Sequence, residues 1–276
     1  MRHDITVSLI QSAVIWEKPA DNLELFARLL EEIKGKTDLV ILPEMFTTGF
    51  SMECEKLSGK YTGKTLQWME KWAKAIEGVI AGSIIFKEKD KYYNRLIWMT
   101  PDSGYKYYNK RHLFRMENEH QHYTGGKNKL IVNLSGWNIC PLICYDLRFP
   151  VWSRNRFTNS RWEYDILIYI ANWPSERNDI WSTLLKARAI ENQAYVIGVN
   201  RTGTDGNNIS HSGNSVVIDL NGNIIDSCGE KDPCVKTIKL SVADLAKKRR
   251  ILEAGKDWDS FEITGRYQGP GTDGYI

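Results

Sequence analysis

The chain has 276 residues, 42% hydrophobic and 26% charged, and its 37 Lys plus Arg against 34 Asp plus Glu leave a formal net charge of +3. This ordinary globular usage excludes disordered, collagen-like and disulfide-scaffold chains, and the length passes only slightly the roughly 250 residues at which one core stops growing, so a single domain over residues 1–276 is expected. The pI near 8.4 lies below the value of about 9 that marks a dedicated nucleic-acid binder, which leaves a small molecule as the expected partner.

ITVSLIQ (5–11) alternates as a strand does, and ADNLELFARLLEEIKG sets Leu23, Phe26, Leu29, Leu30 and Ile33 on one helical face, with Gly35 as its stop. DLVILPE is an apolar run suited to a strand covered on both faces. TLQWMEKWAKAIEG returns to helical spacing through Leu66, Met69, Trp72, Ala73 and Ile76, and GVIAGSIIF follows as another strand. Between Tyr92 and Tyr108, YYNRLIWMT and YKYYN flank the turn residues PDSG, so part of the sheet is antiparallel. WNICPLICYD, DILIYIANW and YVIGVN read as strands, separated by helices around PVWSRNR and IWSTLLKARAIENQ. SVVIDLNGNIID then reads as a hairpin through Asn221-Gly222. From about Glu253 the chain becomes Gly-rich and aperiodic, which predicts a packed tail or an arm reaching a partner. Alternating strands and helices with antiparallel hairpins give an α/β fold with mixed sheets and helices outside.

No apolar run reaches the roughly 18 residues of a membrane span, and MRHDITVSLIQ lacks the unbroken apolar stretch of a secretory signal, so a cytoplasmic protein without membrane contact is expected. The five cysteines (54, 140, 144, 228, 234) form an odd set with no CxxC pair, which argues against a disulfide framework and a cysteine-rich zinc site. KKRR at 247–250 follows Leu245 and Ala246 and reads as a solvated helix end. The sequons at Asn133 and Asn208 matter only in a secreted protein.

Three polar groups each terminate a strand: Glu44 after DLVILP, Lys110 after YKYYN, and Cys144 after WNICPLI. In open α/β sheets ligands gather beyond the carboxyl ends of strands, so these three are expected to converge. Each also has an ordinary alternative: a core thiol for Cys144, a cap or loop carboxylate for Glu44, a solvated basic face for Lys110. Together they suffice for thiol chemistry, because a cation lowers the thiol pKa from about 8.5 while a carboxylate moves the proton. A rival set, His112, His120 and His122 with Asp146, supplies N and O ligands for a metal, at irregular spacing. GxSxG, GxGxxG, Walker A and HExxH motifs are absent.

Read in order, LVILPEMFTTGFS, YYNKRHLF, PLICYDLRFP and LLKARAIENQAYVI resemble the nitrilase superfamily of carbon-nitrogen hydrolases across nearly the whole chain. PEMFTTGFS and ICYDLRFPVWSRN are similar to its omega-amidase branch. The resemblance implies a four-layer α-β-β-α sandwich, pairing into a homodimer, with no metal or organic cofactor. It implies Cys144 as nucleophile, Glu44 as general base, Lys110 as the cation facing the oxyanion, and Glu119, rather than nearby Glu117, as the second glutamate. The backbone N–H of Tyr145 would be an oxyanion donor and Trp173 a pocket wall.

The implied substrates are monoamides of small dicarboxylic acids, such as 2-oxoglutaramate. Arg115, Arg148 and Arg177 are candidates for a remote carboxylate, Arg148 also for a structural pair with an acidic side chain. N-carbamoyl amino acids and aliphatic amides are alternative substrates for the same three residues. A metal hydrolase using the loop histidines, and a binding protein that keeps the fold without catalysis, are the readings from other classes. The 111–126 loop is long enough to serve as a lid.

Overall fold

The computed structural model describes residues 2–102 and 104–264. In chain order it runs β1 (Ile5–Gln11), α1 (Pro19–Glu31), β2 (Leu39–Ile41), α2 (Cys54–Ile76), β3 (Val79–Glu88), β4 (Lys91–Met99), β5 (Tyr105–Asn109) and the one-turn α3 (Glu119–His122). It continues with β6 (Val132–Leu134), β7 (Trp137–Ile143), the one-turn α4 (Pro150–Ser153), a short ribbon of β8 (Phe157–Thr158) and β9 (Arg161–Trp162), and β10 (Ile166–Ala171). The last elements are α5 (Asn178–Asn192), β11 (Tyr195–Asn200), β12 (Thr202–Thr204), β13 (Ser210–Ile218), β14 (Ile224–Glu230), β15 (Cys234–Leu240) and α6 (Val242–Leu252).

Six strands in the order β15-β1-β2-β3-β4-β5 form one sheet; β12-β13-β11-β10-β7-β6, with β14 on β13, form the other. Both are mixed, with parallel centres (β1-β2-β3 and β7-β10-β11) and antiparallel edges. Side-chain alternation separates the layers. Val7, Leu39 and Val79 share a row across the first sheet and pack with Ile139, Ile166 and Ile168 of the second. Val40 and Ile80, one residue on, face away and pack with Phe26 and Leu30 of α1 and Met69 and Ile76 of α2. On the far side α5 lies against β11 so closely that a Cβ on Gly198 would come 2.6 Å from Leu185 Cδ1 and force that side chain to shift. The result is the expected α-β-β-α sandwich of mixed sheets.

Several local expectations shift. Helix α2 starts at Cys54, not near Thr65, because Cys54 and Leu57 bury against Met45 and Tyr123 despite two glycines in the first turns. The helix around PVWSRNR shrinks to α4, and Arg154 and Asn155 are spent on bonds to Glu191 and Asn192. β15 and α6 carry no clear local signal: β15 is made by pairing with β1, from Ile5↔Leu240 to Gln11↔Cys234. Helix α6 is capped by Ser241, whose Oγ accepts from Asp244 N at 3.3 Å, and anchored by Arg249 on Asp165 at 2.6 Å.

The cysteine reading is corrected. Cys228 and Cys234 form a disulfide where the chain passes from β14 to β15, with Cα atoms 5.6 Å apart, and Cys54, Cys140 and Cys144 are free. An odd count and a six-residue spacing hid one bridge without making a framework. The tail folds back on its own chain as far as it is described. Trp258 meets Trp162 edge-on at 5.1 Å, and Ile263 packs against the inter-sheet core; the Gly-rich stretch from residue 265 lies outside the described residues.

Candidate active site

β2 and β5 of one sheet and β7 of the other end at the same point, and each delivers one polar residue there. Lys110 Nζ lies 2.9 Å from Glu44 Oε1 and 3.0 Å from Glu119 Oε2, and none of the three side chains is exposed. Cys144 opens the 3-10 turn Cys144–Arg148 and lines the same small pocket as Glu44 and Lys110. Its φ of +42° is a left-handed backbone costing a non-glycine residue on the order of 1–3 kcal/mol, and the turn is held by bonds at both ends. Ile143 N donates to Asp146 Oδ2 at 3.1 Å, and Arg188 of α5 donates to Leu147 O at 2.6 Å.

Two asparagines complete the carboxylate cage. Asn94 of β4 donates from Nδ2 to Glu44 Oε1 (2.8 Å) and Glu119 Oε1 (3.2 Å). Asn172, just past β10, gives its backbone N–H to Glu44 Oε2 (2.8 Å) and its Nδ2 to Glu44 O (2.7 Å). Phe114 N donates to Glu119 Oε2 at 2.6 Å. With its oxygens fixed by neutral donors and one ammonium, Glu44 keeps an orientation that a mobile side chain would lose.

Burial opposes the charge on Lys110, but the Glu119 and Glu44 carboxylates outweigh it and hold the ammonium above its usual pKa. Burial pushes Glu119 up, with Lys110 pulling the other way. For Cys144 burial dominates and Glu44 adds to it, so the thiol sits well above its usual pKa although Lys110 pulls it down. Burial and the Glu44 carboxylate thus work against the cation-depressed thiol that Lys110 alone would give.

Residues 6–250 match the family model for carbon-nitrogen hydrolases. The chain belongs to the carbon-nitrogen hydrolase family. It is 42% identical over 259 residues to "Omega-amidase YafV" of Escherichia coli (strain K12), covering 94% of this chain and 98% of that one. It is 33% identical to the "2-oxoglutaramate amidase" of Bacillus subtilis (strain 168), over 91% and 96% of the two chains. Among solved structures it resembles XC1258 from Xanthomonas campestris, described as a CN-hydrolase superfamily protein with an arsenic adduct in its active site. That match has a TM-score of 0.92, 44% identity, and coverage of 95% of this chain and 99% of that one.

This carbon-nitrogen hydrolase brings the expected Glu44, Lys110, Cys144 and Glu119 together, and places Tyr145 and Trp173 on the pocket wall. The ring of Tyr145 packs on Phe114 and Phe149, and Trp173 donates from Nε1 to Arg177 O at 2.8 Å, which leaves only its face for a ligand. Arg148 pairs with no carboxylate among the described residues, contrary to the structural ion pair considered for it. It lies over the Trp173 ring at 5.3 Å. Arg177 lines the same pocket, over Phe114, and is also without an acidic partner among the described residues. Arg115 faces a neighbouring groove instead.

The four residues of the rival metal set do not converge. His112 bonds to Asp146 and stacks on Phe149, whereas His120 and His122 line a different groove with Cys54 and Tyr92. Among the described residues no group of three His, Cys, Asp or Glu side chains is gathered to hold a metal. Sequence reasoning missed Asn94 and Asn172. Asn172 directly precedes Trp173 at the end of a strand, the same signal that singled out the other site residues.

Proposed function

We propose that the protein is an omega-amidase that hydrolyses monoamides of small dicarboxylic acids, 2-oxoglutaramate foremost, to the dicarboxylate and ammonia. The observation that carries this reading is a pocket that joins the Glu44-Lys110-Cys144 cluster to two arginines, Arg148 and Arg177, lacking acidic partners among the described residues. A charge-assisted bond from such a guanidinium to the far carboxylate of the substrate fixes the amide end over the thiol. The names of the Escherichia coli and Bacillus subtilis relatives support the same class.

In this reading Glu44 accepts the Cys144 proton as sulfur attacks the amide carbon, and returns it to nitrogen so that ammonia leaves and a thioester remains. Lys110 and the backbone N–H of Tyr145 face the developing oxyanion. Water then attacks the thioester, Glu44 takes its proton and passes it to the departing Cys144 sulfur, and the dicarboxylate leaves with the thiol restored. Glu119 holds Lys110 in place, and Trp173 forms the wall beneath Arg148. A cytoplasmic homodimer belongs to this proposal, and sedimentation of the purified protein checks the dimer.

The test is ammonia release from 2-oxoglutaramate, glutamine, an N-carbamoyl amino acid and a simple nitrile, with wild type beside Cys144→Ser. Turnover of 2-oxoglutaramate alone, abolished in the variant, supports the proposal. Full activity in Cys144→Ser overturns the nucleophile, and preference for the N-carbamoyl amino acid overturns the substrate.

A further inference from the structure

The Asp146 carboxylate is fully buried between the two halves of the site and accepts four hydrogen bonds. Its Oδ2 takes the Tyr108 hydroxyl at 2.8 Å and Ile143 N at 3.1 Å. Its Oδ1 takes His112 N at 3.0 Å and faces His112 Nδ1 at 2.8 Å, where the imidazole is the donor because an ionised carboxylate only accepts. Tyr108 lies two residues before Lys110 and His112 two residues after it, while Ile143 directly precedes Cys144.

The same hub is reinforced from outside. Trp152 Nε1 donates to the Tyr108 hydroxyl at 2.9 Å, as does Arg111 N at 3.2 Å. The His112 ring lies flat on Phe149, 3.7 Å between centroids and 8° from parallel, and Phe149 itself follows the Cys144 turn. Lys110 comes from one sheet and Cys144 from the other; besides the Glu44–Asn172 bonds, the Asp146 carboxylate joins directly the two segments that carry them. We propose that Asp146, with His112 and Tyr108, is a positioning latch that sets the Lys110 ammonium relative to the Cys144 sulfur, and that His112 acts through Asp146 without touching the substrate. The latch rests on the proposed roles of Cys144 and Lys110.

An error of about 1 Å between a charge and the reacting atoms can cost on the order of 100-fold in rate, so the latch belongs in kcat. His112 is the residue to vary, because its side chain is partly exposed and its loss leaves the buried Asp146–Tyr108 bond intact. The measurement is kcat and KM for 2-oxoglutaramate in His112→Ala and His112→Asn, the latter offering an amide donor where Nδ1 stood, with Asp146→Asn as a further variant and thermal melting of each. His112→Ala is expected to lose about 10- to 100-fold in kcat with KM within about threefold, and His112→Asn to recover most of that loss.

The proposal is overturned if His112→Ala keeps wild-type kcat, if its loss lies in KM, or if His112→Asn is as impaired as His112→Ala. Should Asp146→Asn fail to fold, the His112 pair decides alone. Turnover of 2-oxoglutaramate by Cys144→Ala, expected to be abolished, tests the underlying site independently. Retained turnover there removes the nucleophile whatever the His112 variants do.

Discussion

Lys110 and Glu44, 66 residues apart in sequence, meet at 2.9 Å with neither side chain reached by solvent. Removing one member of a buried ion pair leaves an uncompensated charge, which typically costs about 3–5 kcal/mol. In Lys110→Met the Glu44 and Glu119 carboxylates are left facing one another through Asn94. Chemical denaturation is expected to show a loss of this size, and the residual folded protein should be inactive. An unchanged denaturation midpoint would contradict the assignment of Lys110 as the neutralising charge.

Glu44→Gln keeps the shape of the side chain, while Glu119 still neutralises Lys110. Loss of a general base commonly lowers a rate by about 100- to 10,000-fold. We expect kcat for 2-oxoglutaramate to fall within that range while the far-UV spectrum stays close to wild type. Retention of more than a tenth of kcat would move the proton acceptor elsewhere.

The raised pKa of Cys144 has a defined sign in stability. The folded state holds the thiol proton above the roughly 8.5 at which an unfolded cysteine releases it, so the unfolded chain binds fewer protons there. This contribution is complete below about pH 8.5 and is lost as pH rises toward the folded value. Lys110 acts in the same direction from about pH 10.4 upward. Melting temperature should therefore decline above about pH 8.5, and Cys144→Ser, which does not titrate there, should flatten the first part of that decline.

Arg177→Met tests recognition of the remote carboxylate. A hydrogen bond to a charged group contributes about 1.5–3 kcal/mol, or roughly 10- to 150-fold. KM for 2-oxoglutaramate should rise by that factor while turnover of a small neutral amide such as propionamide is unaffected. Equal effects on both substrates would assign Arg177 to the pocket wall alone.

The Cys228–Cys234 bridge closes a short loop, for which chain entropy gives on the order of 2 kcal/mol. Cys228→Ser should lower the melting temperature by a few degrees and leave kcat unchanged, since neither sulfur lines the pocket. A loss of activity without a loss of stability would show that the β14–β15 connection communicates with the site.

Much of this was legible because the proposed chemistry sits at strand ends. DLVILPE and WNICPLICYD announce their strands by apolar runs and YKYYN by the turn that joins it to the strand before, so Glu44, Lys110 and Cys144 could be marked before any geometry was known. Glu119 follows no strand and sits in a polar stretch beside Glu117, so only the family resemblance separated the two. Asn94 lies inside β4, where an interior polar residue has meaning only once Glu44 and Glu119 are found beside it. The net direction of the Cys144 shift was likewise illegible, because it depends on how completely the sandwich buries a thiol between a cation and a carboxylate. β15 is long-range pairing with β1, and such pairing leaves little trace in a local window.

The hold of Asn172 on Glu44 ties the end of β10 in one sheet to the end of β2 in the other. The proposed base and nucleophile likewise belong to opposite sheets, so the thickness of the apolar layer between them acts as a gauge for the reaction distance. A methyl group lost deep in that layer, as in Ile168→Val, is remote from any substrate atom and yet bears on the working gap. Arg148 and Arg177 sit beyond the strand ends, where exchange leaves the gauge alone. On the proposed reading, chemistry is thus set in the core and selectivity at its rim.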